Sequence, residues 1–406
     1  MIDTLRADHL GLYGYARNTS PNLDAFAKDA LVFDYAVTSA PWTPPSVASM
    51  FTGLYPLTHG VIPPNSREQA QENNTKLPET LVTLAEVFKG NGYKTFGFSP
   101  NPWISQEFGF DQGFDTFWHK SRADADEITS RGLEAIKESV KKREPFFAYL
   151  HYLDPHDPYK PPQKYQDLMA SEPPIGGSYG EDEIRKLQLY DAEIRFTDDK
   201  VGEVLAYLKA EGIYDDVAIV VVADHGEQFK ERGHQGHGFM LFDEEVHVPF
   251  MFKPAKSSGG KRSDITVSTV DVFPTVLEMA SISFPPDKPG FSLLSEEKIG
   301  KRSGVYSEIS RKINDQRAFV TPDGLKLIVE FGKDGSEKTL GVFNSRKDPF
   351  EVAPIEDAEL VASLRQELNN ARQLALDGKI EQSPESSGAQ VKDSTLEQLK
   401  TLGYLQ

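Results

Sequence analysis

The sequence predicts an α/β protein with a mostly parallel central sheet, helices on both of its faces, and a small C-terminal α+β subdomain of antiparallel strands. Over residues 1–300, dense apolar runs of strand length alternate with amphipathic segments of helix length. Polar residues follow several of these runs where each strand would end. From Gly304 onwards, short β-prone runs follow one another with only turns between them.

The length and charge of the chain limit its function. Its 406 residues suit one large α/β domain with a smaller appended unit, and 38% hydrophobic residues provide a sizeable core. The formal net charge of −18 argues against nucleic acids and anionic membranes as main partners. An anionic ligand must therefore be held by local features, such as a metal ion, a helix N-terminus or a few histidines.

Other classes of protein are excluded by what the sequence lacks. With no cysteine, the chain has no disulfide, no thiolate nucleophile and no cysteine-ligated zinc site. No apolar run reaches the roughly 18 residues of a membrane span. No signal peptide is visible either.

The central sheet is predicted from apolar runs that do not alternate with polar residues, as expected of strands buried on both faces. These runs are Leu31–Val37, Lys94–Ser99, Pro145–Leu153 and Val217–Asp224. Helices are predicted between and after them at "SPNLDAFAKDA", "TLVTLAEVFKGNG", "EIRFTDDKVGEVLAYLKAEG" and "STVDVFPTVLEMA". The first of these has Ser20 as N-cap and Pro21 in its first turn. Alternation of this kind builds a mostly parallel sheet covered on both faces.

The C-terminal part is predicted in two pieces, 301–378 and 379–406. The first contains the antiparallel strands "GVYSEIS", "RAFVT", "GLKLIVEF" and "TLGVFN". Residues 379–393 are polar and typical of a linker. The final "STLEQLKTLGYL" is predicted as a short amphipathic helix that docks at the end of the chain.

Residues of metal-binding type stand at three predicted strand ends, where ligands bind in such sheets. Asp3 ends "MID", Asp154 and His156 lie in "LHYLDPHDPY", and Asp224 and His225 lie in "ADHGE". An adjacent Asp-His pair offers an oxygen and an imidazole nitrogen to one cation. The alternative is a helix cap beside a structural histidine, and the residues alone leave both open.

The remaining histidines divide into functional candidates and structural ones. His151 alternates into the sheet and is predicted to be structural, as is His247 ahead of an apparent strand. His156 is the functional candidate of its segment, although such turns also use Asp for local hydrogen bonds. His234 and His237 stand in the glycine-rich "GHQGHG", where the backbone can approach a ligand closely. The alternative there is a loop with incidental histidines.

Thr43 precedes two prolines in "APWTPPSVASMFTG". This pattern predicts Thr43 at a helix N-cap, where free N–H groups and the helix dipole attract an anion. Most threonines at such a position only cap the helix. A nucleophilic hydroxyl needs a metal ion or a base to activate it, so both interpretations stay open here.

Taken together, these segments resemble the sulfatases, within the alkaline phosphatase superfamily. The similar segments are "IDTLRADHLGLYGY", "TSPNLDAFAKDALVFDYAVTSAPWTPPSVASMFTGLYPLTHGV", "GFDQGFDTF", "LHYLDPHDPY", "ADHGEQFKERGHQGHG", "LFDEEVHVPF", "VDVFPTVLEMA", "VFNSRKDPFE" and "LEQLKTLGYL". They cover nearly the whole chain in the expected order. The resemblance implies the alkaline-phosphatase-like fold, with a catalytic domain over 1–300.

The resemblance also implies a metal site. One divalent cation (calcium, manganese or zinc) would be held by four residues: Asp3, Thr43, Asp224 and His225. A second metal through Asp154 and nearby histidines is a further prediction, although the two-metal ligand pattern of related phosphodiesterases is incomplete here.

Substrate contacts follow from the same resemblance. Asn65 matches the residue that binds a non-bridging oxygen in related phosphodiesterases. His156 and His237 match residues that contact the substrate or leaving group, and we predict them as catalytic. Asn101, in "GFSPNPWIS" where the family has "GKWHLG", and His234 are further predicted substrate contacts. The predicted partner is a small anionic ester, and nothing in the sequence indicates an oligomeric state.

Three departures from the family pattern bear on the reaction. Sulfatases have Cys or Ser at the position of Thr43, and that residue is converted to formylglycine, which Thr cannot form. Val47 replaces the family's Arg, and Thr4 replaces an Asp. Because a threonine ester must be cleared by water or another acceptor, phosphoester hydrolysis (mono- or diester) or phosphotransfer is favoured. The alternatives are a sulfuric ester hydrolase without formylglycine and a non-catalytic relative that binds an anion.

The N-terminal end differs as well. Family members place an apolar strand before the residue that matches Asp3, and here only Met1 and Ile2 precede it. We therefore expect a truncated N-terminus and an incomplete first strand, with any signal or anchor lost. The location of the protein stays undetermined, and the periplasm or another extracytoplasmic compartment is one option.

Overall fold

The computed structural model describes residues 1–62, 76–177, 179–257, 259–284, 288–311, 315–378 and 391–401. The strands of the α/β part are β1 Leu31–Val37, β2 Lys94–Ser99, β3 Thr116–His119, β4 Phe146–Leu150, β5 Ile219–Val222, β6 Gln228–Phe229, β7 Gln235–Gly236, β8 His247–Lys253, β9 Lys261–Ser263 and β10 Val267–Ser268. Four of these strands, β1, β2, β4 and β5, lie within the predicted apolar runs, and the others lie outside those runs.

Ile2 joins two groups of strands into one sheet. Strands β3, β2 and β4 are parallel neighbours, while β5, β8 and β1 lie side by side, with β9 and β10 paired to the far edge of β1. Ile2 bridges Tyr152, just after β4, and Ala223, just after β5, in parallel. The predicted mostly parallel sheet is confirmed, with β8 running antiparallel to both of its neighbours.

Helices cover this sheet, and several begin or end where the sequence did not place them. The helices are α1 Pro21–Phe26, α2 Thr43–Thr52, α3 Pro56–His59, α4 Leu84–Gly90, α5 Ala125–Lys142, α6 Gln163–Ala170, α7 Glu181–Ala210, α8 Asp243–Val246, α9 Val272–Met279, α10 Glu296–Ile299, α11 Ala358–Asp377 and α12 Asp393–Thr401. Helix α7 begins at Glu181 rather than at Glu193, and α4 begins only at Leu84 because Thr83 and Glu86 form a capping box before it.

Ser20 occupies the predicted N-cap position of α1, but its hydroxyl does not cap the helix. The hydroxyl accepts from the N–H of Gly11 at 2.8 Å and donates to Asp24 at 2.9 Å. The tertiary contact with the loop at Gly11 therefore replaces the local bond expected from the sequence.

The C-terminal strands form the predicted antiparallel sheet. They are β11 Val305–Ser310, β12 Asp315–Val320, β13 Leu325–Phe331 and β14 Glu337–Asn344, paired in chain order. Helix α11 packs on this sheet, which is connected to the α/β part through the buried Lys326. The Lys326 ammonium lies 2.7 Å from Asp243 and 3.0 Å from Glu351. Division into separate domains at these boundaries stays a prediction.

The end of the chain is described in part. Helix α12 accounts for most of the predicted terminal helix, whereas residues 379–390 of the predicted linker and 402–406 lie outside the described residues. Leu396 and Leu399 pack into the main core. Among the described helices, none is long and apolar enough to cross a membrane.

Candidate active site

Three predicted metal ligands converge at the carboxyl ends of the central strands. Asp3 follows Ile2 and Asp224 follows Ala223, and these neighbours pair directly in the sheet. One ligand atom from each of Asp3, Asp224 and His225 lies within 4.8 Å of the other two. All three side chains are buried. The strand pairing thus brings residues from opposite ends of the α/β part into one cluster.

The donor atoms of this cluster fit a divalent cation. Within the described chain, Oδ1 of Asp3 and Oδ2 of Asp224 are buried with no hydrogen-bond partner. The Nε2 atom of His225 lies 3.7 Å from the first oxygen and 3.4 Å from the second. His225 donates from Nδ1 to the carbonyl of Gly226 at 2.9 Å, so the neutral ring carries its lone pair on Nε2. Two carboxylate oxygens and one imidazole nitrogen form a suitable ligand set.

The electrostatics of the cluster also favour a cation. Burial raises the pKa of Asp3, but the hydrogen bond from His151 and nearby histidines outweigh it and hold the pKa at about 2. Burial, and then the charge of Asp3, raise the pKa of Asp224 well above its ordinary value. Burial lowers the pKa of His225 to about 4, so the ring is neutral at pH 7. A bound cation would relieve the repulsion between the two carboxylates.

Two side chains orient Asp3, and both were assigned other roles from the sequence. Its Oδ2 accepts from Nδ2 of Asn101 at 2.8 Å and from Nε2 of His151 at 2.9 Å. The Oδ1 of Asn101 accepts from the N–H of Trp103. His151, predicted as merely structural, therefore supports a ligand, and such partners tune metal affinity. A substrate contact by Asn101 stays a prediction.

Asp224 is held by the backbone. Its Oδ1 accepts from the N–H of His225 at 3.0 Å and from that of Thr4 at 3.2 Å. Thr4 has φ +52°, a left-handed conformation that is strained for a β-branched residue. The carbonyl of Thr4 accepts from Tyr190, which supports this conformation. The left-handed backbone conformation of Thr4 thus directs its N–H toward the candidate metal ligand Asp224.

Thr43 points into the same cluster, but the predicted N-cap is wrong. Helix α2 begins at Thr43, and Trp42 is the N-cap. The Oγ1 of Thr43 lies 3.1 Å from Nε2 of His225. Pro44 and Pro45 have no N–H, and the N–H of Ser46 bonds to the carbonyl of Trp42. The helix therefore does not present the predicted set of free N–H groups to an anion.

Val47, where the resemblance implies an arginine, lies inside the hydrophobic core. Its side chain is buried among apolar residues of the main cluster. One turn earlier, Ser46 donates at 2.8 Å to the carbonyl of Asp224. Helix α2 thus holds the end of β5 through a serine and contributes no cation at position 47.

His237 lies beside the metal cluster. Its ring centre is 4.3 Å from that of His225 and 5.1 Å from that of His156. Its Nδ1 lies 3.1 Å from Oε1 of the buried Glu227, whose Oε2 accepts from Tyr159 at 3.2 Å. Glu227 was not predicted from the sequence, although it directly follows "ADHG". Burial raises the pKa of Glu227 and lowers that of His237, so the His237 ring is neutral at pH 7.

His156 and His234 differ in position. His156 is buried and donates from Nδ1 to the carbonyl of Asp157 at 2.5 Å. The half-buried ring of His234 instead stacks on Phe239, with ring centres 4.8 Å apart. The predicted catalytic pair of His156 and His237 is therefore in contact. For His234, no contact with the metal cluster is found among the described residues. Asn65 lies outside the described residues.

Asp154 does not join a second metal group. Its carboxylate accepts at 2.8 Å from the N–H of Ala125, the first residue of α5, and so satisfies a free N–H of that helix, whose N-cap is Asp124. Burial raises its pKa to about 7. Within the ranges that the structure describes, Asp3, Asp224 and His225 are the only group found that could hold an ion. The second metal predicted through Asp154 is thus unsupported.

With this geometry established, the chain can be compared with known proteins. The family model described as sulfatase matches residues 1–282. The chain belongs to the sulfatase family. The homologues of this chain in the family are ester hydrolases.

Among its relatives, an ulvan-active sulfatase of Formosa agariphila is 26% identical over 332 residues, or 72% of this chain. The chain spans 63% of the length of that relative. A solved structure from a glycosaminoglycan-metabolising locus of Bacteroides thetaiotaomicron has a TM-score of 0.76 and 18% identity, covering 92% of this chain and 95% of its own. Phosphonate monoester hydrolase of Agrobacterium radiobacter has a TM-score of 0.72 and 20% identity, with coverages of 93% and 95%. These structures establish the alkaline-phosphatase-like fold predicted from the sequence.

Proposed function

We propose that this sulfatase-family hydrolase cleaves a phosphate mono- or diester with Thr43 as its nucleophile. The observation that carries the proposal is the position of the Thr43 hydroxyl, 3.1 Å from Nε2 of His225. The unpartnered oxygens of Asp3 and Asp224 lie in the same buried cluster. A threonine that only stabilised its helix would not need to face three metal-ligand candidates.

Asp3, Asp224 and His225 would hold one divalent cation. When bound, such an ion lowers the pKa of a nearby hydroxyl and screens the charge of an anionic ester. The protein supplies the rest of the site: it fixes the ligands through Asn101 and His151, and it buries them away from bulk water.

Two bonds change in each half of the proposed reaction. The Thr43 oxygen loses its proton to solvent and forms a bond to phosphorus, while the bond from phosphorus to the leaving oxygen breaks. His156 delivers a proton to that leaving oxygen, or His237 does so while its Nδ1 takes the proton of the buried Glu227 carboxyl, 3.1 Å away. In the second half, the same histidine takes a proton from water as the water oxygen forms a bond to phosphorus. The bond from phosphorus to Thr43 breaks, and the threonine oxygen regains a proton from solvent. An alcohol in place of water would transfer the phosphoryl group instead.

The preference for phosphorus rests on the chemistry of threonine. A formylglycine hydrate has a second hydroxyl that expels sulfate from the enzyme, and a threonine ester lacks this route. Attack by water on the transferred group is the remaining route to turnover. The phosphonate monoester hydrolase with the same fold shows that this architecture accommodates phosphorus esters.

Sulfate ester hydrolysis is the second candidate. It is favoured by the family match and by relatives such as the ulvan-active sulfatase. Phosphate esters and sulfate esters both present an anionic tetrahedral group, so activity on defined substrates is needed to distinguish the two candidate functions.

The test compares metal-reconstituted wild type with Thr43→Ala and Thr43→Ser on phosphate monoesters, phosphate diesters and aryl sulfates. We expect wild type to turn over a phosphate ester and Thr43→Ala to lose at least about 1,000-fold in kcat/KM. Thr52→Ala, which removes a buried hydroxyl from the same helix, is the matched control.

Each outcome has a clear meaning. Full turnover by Thr43→Ala would rule out the nucleophile, and turnover of aryl sulfates alone would select the second candidate. A wild type that binds phosphate but turns over no ester would identify a non-catalytic relative. Metal analysis of the same samples should give one divalent ion per chain.

A further inference from the structure

We propose that Arg311, supplied by the C-terminal sheet, binds the charged oxygens of the ester. The inference rests on the proposed function only in taking the substrate as an anionic ester. Helix α2 offers no cation to such a substrate at position 47, because Val47 is buried in the hydrophobic core.

Two contacts place the Arg311 guanidinium at the active site. Arg311 directly follows β11, and its Cζ lies over the indole of Trp42, 4.1 Å from the ring centre. Trp42 immediately precedes Thr43. The Nη1 of Arg311 donates at 3.0 Å to the carbonyl of Gly238, which immediately follows His237. The Arg311 guanidinium is thus held between Trp42, next to the proposed nucleophile Thr43, and Gly238, next to the proposed proton donor His237.

Close packing keeps the guanidinium in this position. A Cβ built on Gly238, which has φ +75°, would lie 2.2 Å from the Trp42 ring and 2.9 Å from Nη1 of Arg311. The Trp42 ring also lies beside His237, with ring centres 5.2 Å apart. The loop at Gly238, the Trp42 indole and the Arg311 guanidinium therefore pack against one another beside His237.

The chemistry of this group suits an oxyanion. A guanidinium has five N–H donors in a planar fork, and the fork matches two oxygens of a phosphate. Stacking on an aromatic face fixes its plane. Burial lowers the pKa of Arg311 to about 10, so it remains cationic at neutral pH.

Other nearby arginines have different assignments. Arg6 forms ion pairs with Asp8 and Glu231, and Arg232 forms one with Glu244. Carboxylates of the chain itself therefore hold both of these guanidinium groups. Recognition of the anion would then depend on the C-terminal sheet, and the site would be incomplete without it.

The test measures binding of inorganic phosphate, and separately of sulfate, to the metal-loaded full chain by calorimetry. Arg311→Met removes the charge but keeps an apolar chain against Trp42, and Arg311→Lys keeps the charge without the fork. Arg372→Met is the matched control, because Arg372 also stacks on an aromatic ring, 4.9 Å from the centre of Phe331.

We expect Arg311→Met to weaken phosphate binding by about 10- to 100-fold, the loss typical of charge-assisted hydrogen bonds. Arg311→Lys should fall between this variant and wild type, and Arg372→Met should bind as wild type does. Arg311→Gln gives the same comparison if the Met variant does not fold.

Unchanged phosphate binding in a folded, uncharged Arg311 variant would overturn the inference, as would a wild type that binds neither anion. Failure of the proposed function has a different signature. Thr43→Ala should keep Arg311-dependent phosphate binding, so loss of the nucleophile assignment would leave this result intact. Tighter binding of sulfate than phosphate would support Arg311 and favour a sulfate ester as substrate.

Discussion

The Nε2 atom of His225 lies 3.1 Å from the Thr43 hydroxyl, although 182 residues separate them in the chain. Helix α2 carries the hydroxyl and strand β5 ends just before the histidine. Ser46 bonds the first turn of α2 to the carbonyl of Asp224 at 2.8 Å, which fixes the distance between these elements. This contact connects the candidate nucleophile to the candidate metal centre, and four predictions follow from the structure around it.

Asn101→Ala should weaken metal binding. The change removes one of the two side chains that hold Oδ2 of Asp3, so the ligand loses orientation. We expect a roughly 10- to 100-fold lower affinity for the divalent ion, measured by titration of metal-free protein. Asn91→Ala removes an exposed amide that bonds to its own helix and should have no effect. Equal affinities for wild type and Asn101→Ala would show that Asp3 needs no such support.

Val47→Arg, which restores the residue of the family, should destabilise this protein. Position 47 is buried in the apolar core, so the new charge would be desolvated without a carboxylate partner. We expect a loss of about 3–5 kcal/mol in the free energy of unfolding, measured with denaturant. Val82→Arg is the control, since Val82 is 53% exposed. A Val47→Arg variant as stable as this control would mean that the core has room for the guanidinium.

Lys326→Met should destabilise the protein by about 3–5 kcal/mol, because it leaves the buried Asp243 and Glu351 without their cation. Tyr35, on the central sheet, donates to the same Asp243 at 2.5 Å, so the effect should reach the α/β part. Thermal unfolding followed by circular dichroism measures the change. Lys338→Met, at an exposed site on β14, should alter stability by less than about 0.5 kcal/mol. If both variants lose the same stability, the ion pairs contribute little.

Gly238→Ala should reduce activity by more than its loss of folding stability explains. The new methyl would meet the Trp42 ring at 2.2 Å and displace the loop that carries His237. We expect kcat/KM to fall by about 10- to 100-fold. Gly233→Ala has a similar φ of +82° with nothing within 4 Å, so it shares the backbone strain without the clash. Matching losses in the two variants would assign the effect to strain rather than to displacement of Trp42.

The fold class and much of the candidate cluster could be predicted from the sequence. Strands β1 and β2 have the predicted bounds, because dense apolar runs have few alternatives to a buried sheet. Asp3, Asp224 and His225 were identified because they follow strand ends and because the segments around them resemble one family. Thr43 needed the same resemblance, since a threonine before proline usually does no more than begin a helix.

The side chains that surround this cluster, in contrast, depend on how distant parts of the chain pack together. His151 points at Asp3 because Ile2 pairs beside Tyr152, and Asp154, three residues further on, accepts from the first N–H of α5 instead of binding metal. Glu227 and Arg311 gained their positions from contacts with His237 and Trp42. Local sequence fixes where a strand ends, but the pairing of distant strands and the packing of a separate sheet set which side chains meet there, and no local pattern encodes those neighbours.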